Sequence, residues 1–201
     1  MKQRKIGICI VVLLVCSFIG AFFTWKTECK EHPVFSYYLL LSADDSVETS
    51  ILDFERGGSG RTYRGKSVLQ AYFSEADASS VADRLKSNGK ETLIEKVSCS
   101  VPCSKKDREE LHCKLNSLNG VAHVLYLLAN GLEQGEITQR QAKNTVQSVC
   151  LVLNGCKGGR GAWGEKITNC VLETEEILDT DVYQANKLRN AMVGICLTFV
   201  R

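Results

Sequence analysis

The chain has 201 residues, 25 Lys and Arg against 23 Asp and Glu, a formal net charge of +2 and ten cysteines. That length suits one or two domains of ~100–200 residues. With Lys2, Arg4 and Lys5 set aside, the remaining 22 basic groups face 23 acidic ones, so no basic excess points to nucleic acid as a partner.

Those three cations precede an almost unbroken apolar run from Ile6 to Trp25, IGICIVVLLVCSFIGAFFTW. Roughly 20 helical residues at ~1.5 Å each span the ~30 Å hydrocarbon core of a bilayer. With no acid ahead of the run, the positive-inside bias keeps the N-terminus in the cytoplasm and sends the rest across. Trp25 and Lys26 would mark the outer interface. A cleaved export signal needs small residues at the cut, and only Ile19-Gly20-Ala21 approaches that pattern. The reading is a single-pass protein of the cell membrane: residues 1–27 form a cytoplasmic stub and anchor, and the main body is extracytoplasmic.

Beyond the anchor, Ser36 to Ser42 (SYYLLLS) favours a strand, and Val47, Ile51 and Phe54 recur at helical spacing within Ser46 to Glu55. Gly57-Gly58-Ser59-Gly60 reads as a turn. Ser67 to Phe73 (SVLQAYF) reads as a second strand, Glu75 to Ser87 as a helix with Ala78, Val81, Ala82 and Leu85 on one face, and Thr92 to Val97 as a third strand. Asn88-Gly89 supplies the C-terminal stop of the helix. Helices covering one face of a small sheet would leave the other face free to bind.

The pattern turns helical after Pro102. Ser104 to Asp107 forms a capping signal, followed by Leu111, Leu115, Leu118, Ala122, Leu125 and Leu128 at steps of three and four. Thr138 and Gln141 open a further helix carrying Ala142, Val146, Val149 and Leu153. Two more helical stretches run from about Glu165 to Leu178 and from Val182 to Phe199.

Little in this pattern suggests catalysis. His32, His112 and His123 lack motif context, and the loop Gly155 to Gly164 has neither a preceding strand nor a Walker Lys-Ser/Thr ending. Cys99 and Cys103 have three residues between them and no matching second pair, unlike a structural zinc site. The eight cysteines outside the apolar run (Cys29, Cys99, Cys103, Cys113, Cys150, Cys156, Cys170 and Cys196) are compatible with disulfides or with buried free thiols. No enzyme activity, cofactor or metal is expected.

Ser67 to Val97, with Val68, Ala71, Phe73, Ala78, Leu85, Gly89 and Ile94 in order, resembles the second half of a SPOR domain, the peptidoglycan-binding module of bacterial division and sporulation proteins. Ser36 to Ser42 is similar to that family's opening strand, while Leu40 and Leu69 stand where members often carry Gln. The resemblance implies a small βαββαβ domain over residues 34–98, behind a membrane anchor. The resulting fold class is α+β: a transmembrane helix, a SPOR-like α+β domain, and an α-helical bundle over residues 104–201.

Strand alternation places Val68, Gln70 and Tyr72 on one side and Leu69, Ala71 and Phe73 on the other. Sugars need hydroxyl, amide and aromatic partners, which makes Tyr38, Gln70 and Tyr72 the candidate glycan-binding residues. The expected function is non-catalytic binding or localisation to peptidoglycan glycan strands in division or sporulation. The alternative is a protein-interaction or scaffold module working through the helical bundle, with Leu127, Leu128 and Leu132 as a partner-facing patch.

Overall fold

A computed structural model of the chain describes residues 32–43, 61–101 and 108–200. The expected anchor over residues 6–25, the helix over 46–55, the turn over 57–60 and the capping signal over 104–107 lie outside the described residues.

Among the described residues, four strands and five helices follow one another: β1 (His32–Ser42), β2 (Thr62–Tyr63), β3 (Lys66–Tyr72), α1 (Glu75–Ser87), β4 (Thr92–Val101), α2 (Arg108–Gln134), α3 (Gln139–Cys156), α4 (Gly161–Leu178) and α5 (Ala185–Thr198). The strands form one sheet in the order β2-β3-β1-β4, and β1 pairs antiparallel with both β3 and β4. β2 and β3 are joined through Arg64 and Gly65, whose φ values of 50° and 79° match the two left-handed positions of a tight hairpin turn.

The inner strands β1 and β3 are buried on both faces. Along β1, Tyr37, Leu39 and Leu41 point to one side and Leu40 to the other, and all four are buried. A strand with no polar side has to be covered twice. One cover is α1, whose Ala78, Val81 and Leu85 close over Leu40, Leu69 and Tyr72. Ser74 caps this helix by accepting from the Asp77 N–H at 3.1 Å. At its other end the Gly89 N–H donates to Lys86 O and the Lys90 N–H to Leu85 O, with Gly89 at φ 76°. This is the double bond pattern of a left-handed helix stop.

The second cover is helical as well. Leu111, Leu115, Leu118, Ala122, Leu125 and Leu128 of α2 are all buried, and they share one core with Tyr37, Leu39, Leu41, Val68, Ala71 and Val97 of the sheet. α2 lies against β1 and α5 against β3. α5 is buried continuously from Ala191 to Cys196, because the sheet closes on one side of it and α2 and α4 on the other. After α5 the chain bridges back to the edge of the sheet at Cys99 and Val200, and Phe199 stacks on Trp163 at 6.0 Å.

These contacts correct the expected fold class. The described chain is mostly helical, with one small four-stranded sheet and five helices. The sheet face expected to stay open is filled by α2 and α5, because Tyr37, Leu39 and Leu41 leave that face too apolar to face water. Among the described residues no helix is long and apolar enough to cross a membrane, so the fold they define contains no transmembrane helix. The interaction patch expected at Leu127, Leu128 and Leu132 also dissolves: Leu128 is core and Leu132 packs against it, leaving Leu127 alone exposed.

The glycine loop between α3 and α4 proves to be a packing device. The Gly158 carbonyl accepts from Lys114 Nζ at 2.9 Å, and the Gly158 N–H donates to Thr168 Oγ1 at 3.0 Å. Its backbone polar groups therefore turn inward to α2 and α4. A Cβ at Gly164 would sit 2.4 Å from the Gly159 backbone, far inside any tolerable contact. Gly164→Ala is expected to destabilise the chain by about 2 kcal/mol or more, read as a lowered urea midpoint. Substitution of the exposed Gly155, whose Cβ would meet nothing within 4 Å, should move that midpoint little or upward.

Candidate functional site

The three candidate glycan residues separate in the structure. Tyr38 lies opposite Tyr72 on β3 and Lys96 on β4; its ring is half-buried, with the Lys96 ammonium 5.6 Å from the ring centroid. It does not line the cleft described below. Gln70 and Tyr72 do, and both are buried.

A slip in the pairing of β3 places them there. Leu40 faces Gln70, but Leu41 faces Val68, so Leu69 is an extra residue in the ladder. The simple alternation expected for the strand is broken at this point. Val68 joins Ala71 against the bundle, whereas Leu69 and Tyr72 pack beneath α1, and Gln70 sits opposite Leu40 on that same side.

The cleft measures about 470 Å³ and opens between α1, the C-terminal half of α2 and the start of α5. Its floor is Gln70 and Tyr72. α1 contributes Asp77, Ser80 and Arg84; α2 contributes Tyr126, Asn130 and Glu133; α5 contributes Arg189. Tyr72 and Tyr126 meet edge to face, with centroids 6.3 Å apart. Phe73 touches Tyr126 and Tyr37 at 5.7 and 5.4 Å, and the exposed His123 ring lies 4.5 Å from Phe73. An aromatic seam thus supports one wall.

Arg189, only 7% exposed, extends that wall. It donates to Asn130 Oδ1 at 3.0 Å and pairs with Glu133, tying α5 to α2 at their crossing. Gln70 is 3% exposed, and its Oε1 accepts from the neighbouring Ala71 N–H at 3.2 Å. Gln70 lines the cleft with its oxygen already engaged by the backbone. The cleft presents two guanidinium groups against two carboxylates, and hydroxyl and amide groups make up much of the rest. The lining is therefore polar without a strong net charge.

Sequence reading missed Arg189, Asn130 and Glu133. The spacing of Asn130 and Glu133, three apart on a long helix, places them side by side, and Arg189 interrupts an otherwise apolar helix face. Neither signal says that the two helices cross there.

Elsewhere His112 hydrogen-bonds Asn116 at 3.0 Å, and among the described residues no group of three or more His, Cys, Asp or Glu is placed to hold a metal. Cys99, Cys113, Cys150, Cys156, Cys170 and Cys196 are free thiols, four of them buried. Burial pushes the Cys170 thiol from its ordinary 9.0 to about 11, with the Thr198 hydroxyl pulling the other way. It pushes Cys99 up to about 12, with Lys166 opposing. Tyr37, whose hydroxyl donates to Asn119 Oδ1 at 3.1 Å, is raised as well, by burial first and by Cys196 second.

Compared with protein-family models, curated proteins and solved structures, the chain matches none, and nothing there identifies a SPOR domain.

The thiols set an alkaline limit on stability. A thiol whose folded pKa is raised stabilises the native state below its unfolded pKa, and that contribution is lost as pH rises through the folded value. For Cys170 the loss runs from about pH 9 to about pH 11. Urea midpoints measured between pH 8 and 11 should fall less steeply for Cys170→Ala than for the native chain.

Proposed function

We propose that this chain is a non-catalytic binding protein of the bacterial cell envelope, with its body on the outer side of the cell membrane, that binds or localises to peptidoglycan during division or sporulation. The ligand enters the cleft between α1 and α2 and does not lie across an open sheet, because both sheet faces are packed. The observation that carries this reading is the polar cleft between α1 and α2, with Gln70 and Tyr72, two of the three candidate residues, on its floor. Around Gln70 stand hydroxyl, amide and aromatic groups of Ser80, Asn130, Tyr72 and Tyr126, the kinds of group that pair sugar hydroxyls and cover apolar ring faces. The volume falls within the ~300–1,000 Å³ typical of small-molecule sites. One or two residues of a glycan strand would be held at a time, so affinity for a long polymer would come from repeated engagement.

The test is co-sedimentation of the full chain with purified, enzyme-trimmed peptidoglycan sacculi. Gln70→Leu and Asp77→Ala/Arg84→Ala are expected to weaken binding about tenfold, which corresponds to about 1.4 kcal/mol. Far-ultraviolet circular dichroism should be unchanged in both variants. A native chain that stays in the supernatant, or variants that pellet as the native chain does, would overturn the reading.

A further inference from the structure

A second concave surface lies away from the cleft, where α3 meets the end of α4 and the loop leading to α5. Its volume is about 620 Å³. Val146, Cys150, Leu178 and Tyr183 form its floor. The loop is held rigidly: Gln139 Nε2 donates to the Tyr183 carbonyl at 2.8 Å, and the Tyr183 N–H donates back to Gln139 Oε1 at 2.9 Å. This reciprocal pair pins the loop to the first turn of α3, so the groove exists before anything binds.

Single exposed apolar side chains are ordinary on a protein surface, but here one lines the groove and another adjoins its lining in sequence. Leu151 lines the groove and is 75% exposed; Val182, beside Tyr183, is 57% exposed.

The charge around this apolar floor has one sign in excess. Glu175, Asp179 and Asp181 line the groove against a single lysine, Lys143. Lys157 binds Glu175 at 2.6 Å, which leaves the exposed Asp179 and Asp181 on the rim. The Tyr183 phenol is raised by burial first, and then by Cys150, Asp179 and Asp181, so the field of both carboxylates reaches the floor.

We infer that this groove docks an amphipathic helix of a partner protein, its apolar stripe seated on Leu151 and the floor of Val146, Leu178 and Tyr183 and its lysine or arginine flank facing Asp179 and Asp181. The carboxylates favour a cationic flank over an anionic one, and an apolar floor with a charged rim matches the two sides of an amphipathic helix. The inference is independent of what the α1–α2 cleft binds.

The test uses a fluorescein-labelled 18-residue peptide of leucine and lysine patterned as an amphipathic helix, and a second peptide with glutamate in place of lysine. Titrated with the full chain and followed by anisotropy, the lysine peptide is expected to bind at least ~tenfold more tightly than the glutamate peptide. Leu151→Ser/Val182→Ser should weaken it about tenfold, and Asp179→Asn/Asp181→Asn should weaken it less and flatten its salt dependence. Leu127→Ser, an exposed leucine on α2, should change nothing. Equal binding of both peptides, or equal losses in the Leu127 and groove variants, would overturn the inference. So would a self-association of the chain that Leu151→Ser/Val182→Ser abolishes and the lysine peptide does not compete, because the groove would then be an interface between two copies.

Discussion

The central strand of the sheet has no polar side, and the rest of the molecule is arranged around that constraint. With Tyr37, Leu39 and Leu41 facing one way and Leu40 the other, β1 is stable only when buried from both directions. The thirteen-residue α1 is enough for one face. The other requires the long α2 and the continuously buried α5, and through them α3 and α4, so the helices complete the core that the sheet begins.

The same constraint decides where a ligand can go. A sheet covered on both faces offers no flat platform, so binding is confined to seams between its covers. The seam between α1 and α2 becomes a cleft because Leu69 is an extra residue in β3, which keeps Gln70 and Tyr72 together under α1 while Val68 turns to the bundle. Arg189, bonded to Asn130 and paired with Glu133, keeps that seam from closing into more apolar core. The groove at α3 and α4 arises differently, from a loop clamped by Gln139 beside helix ends that do not fully meet.

Local signals in the sequence proved dependable wherever the cause was local. The Asn88-Gly89 pair ends α1, Thr138 and Gln141 form a complete capping box, and the leucine stripe of α2 is buried residue for residue as its spacing implies. Long-range arrangement was not legible. Whether Tyr37 and Leu39 face water or a helix depends on α2, more than 60 residues later, and a one-residue slip in β3 cannot be read from alternating hydrophobicity. Of the three candidate binding residues, the two that share the cleft do so through that slip, and Tyr38 lies apart, beside Lys96. The buried arginine was invisible because its partners belong to a helix that crosses it in space.

The shared core between sheet and bundle is tested most directly by native-state hydrogen exchange on the Leu39→Ala chain. Leu39 belongs to the sheet, is fully buried and touches the bundle side. If the core is common, removing its side chain lowers the protection of the slowest amides in β1, α2 and α5 by the same amount, about 2–5 kcal/mol. Loss of protection confined to the strands, with α2 and α5 exchanging as in the native chain, would contradict it.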